Sequence, residues 1–249
     1  MKLQLPSKFL TISIFASFCL STSAEERAAV EAAVPENLAT KPEPRQGRWI
    51  DRHNKMNERT KKGGVDLAFV GDSITQGWEG RGKDVWAKFY AERNAANYGI
   101  SGDRTEHVLW RIDNGNFEGI SPKLIVIMIG TNNTGHRKEE PQHTADGIRA
   151  ILQRLRAKTP DSKILLLGIF PRDQKPDGAK RQQNEAINEI ISGYADGKII
   201  HFLDISGKFK NEDGTLPKDI MPDFLHLSTP GYEIWAEAIE PKVKELMGK

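Results

Sequence analysis

Cysteine is nearly absent from this 249-residue chain: Cys19 is the only one. No disulfide can form within the chain, and no cysteine pair can hold zinc or carry out thiol redox chemistry. H-E-x-x-H is missing too, so no metal and no cofactor is expected. Charge of one sign is also scarce. Lys and Arg number 36 against 34 Asp and Glu, and residues 1–24 hold two lysines and no acid. The remainder is therefore balanced, and no global field draws it to nucleic acid or an anionic surface. Long apolar runs are lacking as well. The longest, from about Phe9 to Leu20, is short for a membrane span.

That run is flanked by Lys2 and Lys8 on one side and by small residues ending at Ala24 on the other. The pattern predicts a secretory signal peptide over 1–24, cleaved after about Ala24, with no stable membrane anchor. The expected location is periplasmic or extracellular, and Cys19 leaves with the peptide. Residues 25–62 read as a proline-rich polar linker followed by a polar helix over 48–62, with Trp49, Ile50 and Met56 on its apolar side. Residues 63–249 then form the main domain.

From Val65 the pattern becomes regular. Short apolar runs at 65–70, 95–100, 124–129, 163–168 and 199–205 alternate with helical stretches at about 83–93, 105–113, 144–158, 180–195 and 230–247. Ile148, Ile151, Leu152 and Leu155 fall on one helical face, and Ala186, Ile187, Ile190 and Ile191 on another. Such alternation predicts an α/β fold with a mostly parallel sheet covered on both faces. Sites in such sheets form outside the carboxyl ends of the strands. The loops after residues 70, 100, 129, 168 and 205 are therefore the ones to search.

Those loops carry chemistry. "GDSIT" supplies Ser73, "SGDRT" Gly102, "GTNNTG" Asn132, and "MPDFLHLSTPGY" both Asp223 and His226. A serine needs a general base within hydrogen-bond reach, and histidine titrates near neutrality. A carboxylate then fixes the imidazole tautomer, and D-x-x-H can supply both groups from one loop. The amides of Ser73 and Gly102 and the side chain of Asn132 are candidate donors to a developing oxyanion. Taken alone, "GDS" and D-x-x-H are better explained by a turn or a helix cap, and "GTNN" by a turn. Their joint occurrence at strand ends is not. Because Thr75 replaces the last glycine of G-x-S-x-G, no nucleophile elbow is implied.

Ser73, Gly102, Asn132 and His226 in these contexts resemble the SGNH subgroup of the GDSL esterases and lipases. The resemblance runs from about Val65 to the C-terminus. "GISGDRTEHVLWRIDNG" and "DFLHLSTPGY" are most similar to the branch containing the catalytic subunits of platelet-activating factor acetylhydrolase, although Ser101 stands where that branch often has glycine. The resemblance implies a three-layer α/β/α sandwich with a five-stranded parallel sheet of flavodoxin-like order. It also implies Ser73 as nucleophile, His226 as base and Asp223 as its orienting acid, with Ser73, Gly102 and Asn132 at the oxyanion.

The expectation is an exported serine esterase removing a short acyl group, acetyl first, from a small-molecule or glycan ester. The alternatives are a lysophospholipase or thioesterase for longer chains, and a catalytically silent carbohydrate-binding relative. His107 is expected to order the loop after Gly102, His136 and His143 to be solvated, and "NEDGT" at 211–215 to be a polar turn rather than a calcium loop. Trp110 and Trp235 are expected in the core, while Trp78 is open.

Overall fold

The computed structural model describes residues 36–248. The signal peptide predicted over 1–24 and Cys19 lie outside the described residues. From Asn37 onward the chain forms one compact unit.

All five apolar runs are strands: β1 (Leu67–Gly71), β2 (Ala95–Gly99), β3 (Leu124–Met128), β4 (Lys163–Leu167) and β5 (Ile200–Leu203). They pair in parallel in the order β2-β1-β3-β4-β5. Eight α-helices accompany them among the described residues: α1 (Arg48–Lys61), α2 (Ser73–Gln76), α3 (Lys83–Phe89), α4 (Thr105–Asp113), α5 (Thr131–Arg137), α6 (Pro141–Lys158), α7 (Ala179–Ser192) and α8 (Thr229–Met247).

The central strands β1 and β3 are apolar throughout because alternate residues feed two cores. Ala68, Val70, Ile125, Ile127, Ile164 and Leu166 face the core shared with α1, α4, α6 and α7. Leu67, Phe69, Leu124, Val126, Met128, Leu165 and Leu167 face the core shared with α2, α3 and α8. A period of two on the strands and buried stripes at helical spacing therefore produce the three layers. Trp78 and Trp235 both belong to the second core, with ring centroids 4.8 Å apart. Trp110 is half-buried, 5.4 Å from Trp49 and 5.0 Å from His53.

This topology positions the loops. The chain reverses direction across the sheet between β1 and β3, the switch point of a doubly wound fold. In register, Gly71 lies level with Gly99 of β2 and Met128 of β3. The three loops bearing Ser73, Gly102 and Asn132 thus leave the sheet side by side. "GTNN", read from sequence as a turn, opens helix α5 instead. Asn133 supports that helix: its side chain accepts from Thr105 N at 3.1 Å and donates to Thr105 Oγ1 at 3.0 Å.

Candidate active site

Strand β1 ends where space runs out. A Cβ on Gly71 would stand 2.1 Å from Thr75 Oγ1 and 2.4 Å from Met128 O, so no larger residue fits. Asp72 follows, fully buried, and caps α2 by accepting from Ile74 N at 2.9 Å. Ser73 is then the first residue of α2, with its amide unused by any described backbone partner. The other Asp72 oxygen also lacks a protein partner. Burial raises this carboxyl to about 7, with Asp103 adding to the rise and the Ile74 amide and Arg172 opposing it.

A stability slope follows from that shift. The folded state holds the Asp72 proton up to about pH 7, whereas the unfolded chain releases it near an ordinary carboxyl value of about 4. Between those values the native state binds more protons, so stability falls as pH rises, by about 1.4 kcal/mol per unit at most. Asp72→Asn keeps an acceptor for Ile74 N and cannot ionise. Urea unfolding at pH 4.5, 6 and 8 should show the variant gaining on wild type by about 2–4 kcal/mol across the series. A gap that does not change with pH would remove Asp72 as the cause.

The candidate base, His226, arrives from the loop before α8. Asp223 Oδ1 accepts from His226 N at 2.7 Å and Leu225 N at 3.2 Å, so the carboxylate folds its own turn. Its Oδ2 lies 2.7 Å from His226 Nδ1, and His226 Nε2 lies 3.0 Å from Ser73 Oγ. Because a carboxylate only accepts, Nδ1 donates, and in the neutral ring Nε2 accepts from the Ser73 hydroxyl. Burial pulls the Asp223 carboxyl up, but the hydrogen bonds and charge of His226 outweigh it and hold it below the usual range. The loop is anchored on both sides. Asp173 N donates to Phe224 O at 3.0 Å, and Ser228 caps α8 by accepting from Gly231 N at 3.2 Å.

Gly102 has φ +78, the left-handed turn for which glycine is favoured. The Arg45 guanidinium closes over it: a Cβ on Gly102 would stand 3.1 Å from Arg45 Nη1. The next residue, Asp103, joins the elements of this corner and was not singled out from sequence. Its buried carboxylate accepts from Trp49 Nε1 at 2.6 Å and Arg111 Nε at 2.9 Å, with Arg45 at 3.4 Å. Its backbone carbonyl accepts from Asn132 Nδ2 at 2.9 Å. One N–H of that amide is thereby fixed, leaving the second free to meet a substrate oxygen.

A family model for the GDSL-like Lipase/Acylhydrolase family matches residues 69–234. The chain belongs to that family. The alpha1 subunit of platelet-activating factor acetylhydrolase IB from Homo sapiens is 36% identical over 220 residues, covering 86% of this chain and 93% of its own length. The alpha2 subunit from Rattus norvegicus is 37% identical over 201 residues, covering 80% and 85%. Among solved structures, a GDSL-like lipase from Bacteroides thetaiotaomicron aligns with TM-score 0.63 at 22% identity, over 78% of this chain and 97% of its own. An acetylxylan esterase from Geobacillus stearothermophilus aligns with TM-score 0.59 at 21% identity, over 75% and 95%. Those two structures bear on the fold. Family and sequence relatives together make this GDSL acylhydrolase an ester-hydrolysing enzyme.

In this acylhydrolase, a cleft of about 280 Å³ opens beside Ser73 and His226, lined also by Gly77, Gly80, Arg81, Asp223, Leu227 and Tyr232. The other histidines stand outside it. His107 Nδ1 accepts from Arg104 N at 3.0 Å, ordering the loop after Gly102. Burial, with nearby arginines adding to it and Glu106 opposing, brings His107 down to about 3, so it stays neutral. His53 is buried against Trp49 and bonds Asn114 O at 3.0 Å. His136 is exposed and His143 half-buried. Glu43, Glu106 and His107 bring ligand atoms within 4.8 Å of one another. They do not fit a metal, because Arg104 and Arg137 already pair with Glu106 and the Arg104 amide occupies His107 Nδ1. "NEDGT" is a turn closed by Asn211 N on Thr215 O at 2.9 Å.

Proposed function

We propose that this GDSL acylhydrolase is an exported serine esterase that removes short acyl groups, acetyl first, from an oxygen of a small-molecule or glycan ester. The Ser73–His226–Asp223 hydrogen-bond chain, open to a small cleft, carries the reading. Ser73 Oγ attacks the acyl carbon as its proton passes to His226 Nε2, and the carbonyl oxygen gains the charge. The amides of Ser73 and Gly102 and the free N–H of Asn132 receive that oxyanion. Collapse breaks the bond to the alcohol oxygen, which takes the proton from His226 and leaves. Water repeats the sequence on the acyl-enzyme, giving the carboxylic acid and free serine. Asp223 keeps the imidazole in the required tautomer throughout.

Short acyl groups suit this site because the segments that follow β3, β4 and β5 at the mouth of the sheet, residues 131–144, 171–178 and 206–219, are rich in polar and charged residues. Each methylene buried in an apolar groove contributes about 0.8 kcal/mol, and a long acyl chain laid along polar segments lies in water instead. Names of the relatives point the same way: one is an acetylhydrolase, and a structural neighbour is an acetylxylan esterase. Export rests on the sequence of residues 1–24. No helix among the described residues is long and apolar enough to cross a membrane.

Measuring kcat/KM on p-nitrophenyl esters from acetate to palmitate tests the acyl preference. The value should level off or fall after about two to four carbons. A steady climb toward palmitate would favour a lysophospholipase. Failure of a fluorophosphonate probe to label Ser73 would favour a silent relative.

A further inference from the structure

Arg81 stands apart from the other arginines near the catalytic loops. Arg45 is committed to Ser101 O at 2.8 Å and to Asp103, and Arg172 to Thr131 O at 2.7 Å. Arg104 and Arg137 share Glu106. Arg81 is exposed, lines the same cleft as Ser73 and His226, and pairs with no carboxylate among the described residues. The acid nearest to it in sequence, Glu79, is taken by Arg52 through bonds of 2.9 and 2.7 Å. Among the described residues the only carboxylate lining the cleft is that of Asp223, whose oxygens are held by His226 and the Leu225 amide.

Its position is also built. Thr229 Oγ1 donates to Arg81 O at 2.9 Å, tying this loop to the start of α8. The guanidinium rests on Leu227 O at 3.5 Å, the long limit for a hydrogen bond, so most of its five donors remain available. Leu227 follows His226 directly, which places Arg81 on the flank of the base rather than at the Gly102–Asn132 corner. A leaving alcohol departs toward the group that protonates it. The alcohol half of the substrate, not the acyl half, therefore meets Arg81.

We infer that Arg81 is a specificity-determining residue that binds an oxyanion, a carboxylate or a phosphate, carried by the alcohol half of the ester within reach of one arginine side chain. A planar guanidinium with free donors suits either anion in bidentate geometry. The inference rests on the esterase reading of Ser73 and His226 and narrows its substrate to acidic O-acyl compounds.

The test compares three acetate esters on the full chain: 4-acetoxybenzoate, 4-acetoxyphenyl phosphate and the uncharged 4-acetoxybenzamide. Leaving-group reactivity differs among them, so the readout is the anionic-to-neutral ratio of kcat/KM in each variant. Arg81→Gln should lower that ratio by about tenfold for at least one anionic ester, and Arg81→Lys should retain most of it. Added salt should shrink the wild-type ratio toward that of the Gln variant. Whichever anionic ester loses more identifies carboxylate or phosphate. Arg154→Gln, a change to a surface arginine paired with Asp113 on α6, should leave the ratio unchanged. A ratio equal in wild type and Arg81→Gln overturns the inference, as does an equal fall in Arg154→Gln, which would reflect net charge alone. Hydrolysis of the neutral ester separates this failure from a failure of the esterase reading. If no ester is cleaved and Ser73 resists a fluorophosphonate, both fall together.

Discussion

Alanine in place of Ser73 or of His226 should each lower kcat by about four to six orders of magnitude, and the double variant should be little worse. In the proposed mechanism the two side chains act as one unit. His226 Nε2 at 3.0 Å is the only base in reach of Ser73 Oγ among the described residues, and without the hydroxyl that base has nothing to activate. The proposed oxyanion donors at Gly102 and Asn132 survive either change, so a residual rate above the uncatalysed reaction should persist. Folding should survive as well. The cap of α2 belongs to Asp72, and the turn at 223–226 is made by backbone amides on Asp223. Steady-state hydrolysis of p-nitrophenyl acetate, with thermal unfolding as the fold control, measures the effect. Near wild-type turnover by Ser73→Ala would move the nucleophile elsewhere.

Wherever one periodicity controls the structure, it could be read directly from the residues. All five strands lie on the short runs marked out in the sequence, most cleanly β1 and β3, since a strand with helices on both faces has no polar face to interrupt it. Helices α4, α6, α7 and α8 were visible for the complementary reason, one buried stripe against a polar surface. Helix α5 was not. Thr, Asn and Gly are poor helix formers, and what holds "TNNT" is tertiary: Asn133 bonded to Thr105, Arg172 to the Thr131 carbonyl. Asp103 was hidden in the same way. Its partners Trp49 and Asn132 are 54 and 29 residues distant, and no local pattern records such pairings. Arg81 in "GRGKD" looks like any solvated loop cation until the fold sets it beside His226.

That hidden corner sets the expected effect of Asn132→Ala. Turnover should fall by about two to three orders of magnitude with little change in KM, because an oxyanion donor acts on charge that exists only in the transition state. The structure shows how the amide is held. Asn132 is nearly buried, and Asp103 O holds one of its N–H groups at 2.9 Å, which fixes the plane of the other. Alanine removes the donor and also leaves a buried carbonyl without its partner, at about 1–3 kcal/mol of stability. The variant should therefore melt earlier as well as turn over more slowly, and the two losses can be separated. Assayed well below its melting point, a folded Asn132→Ala should still carry the kcat defect, and because His226 is untouched, its pH–rate profile should keep the wild-type shape. A variant whose kcat recovers to wild type on cooling, with only stability impaired, would reduce Asn132 to a strut for Asp103. The oxyanion would then rest on the Ser73 and Gly102 amides alone.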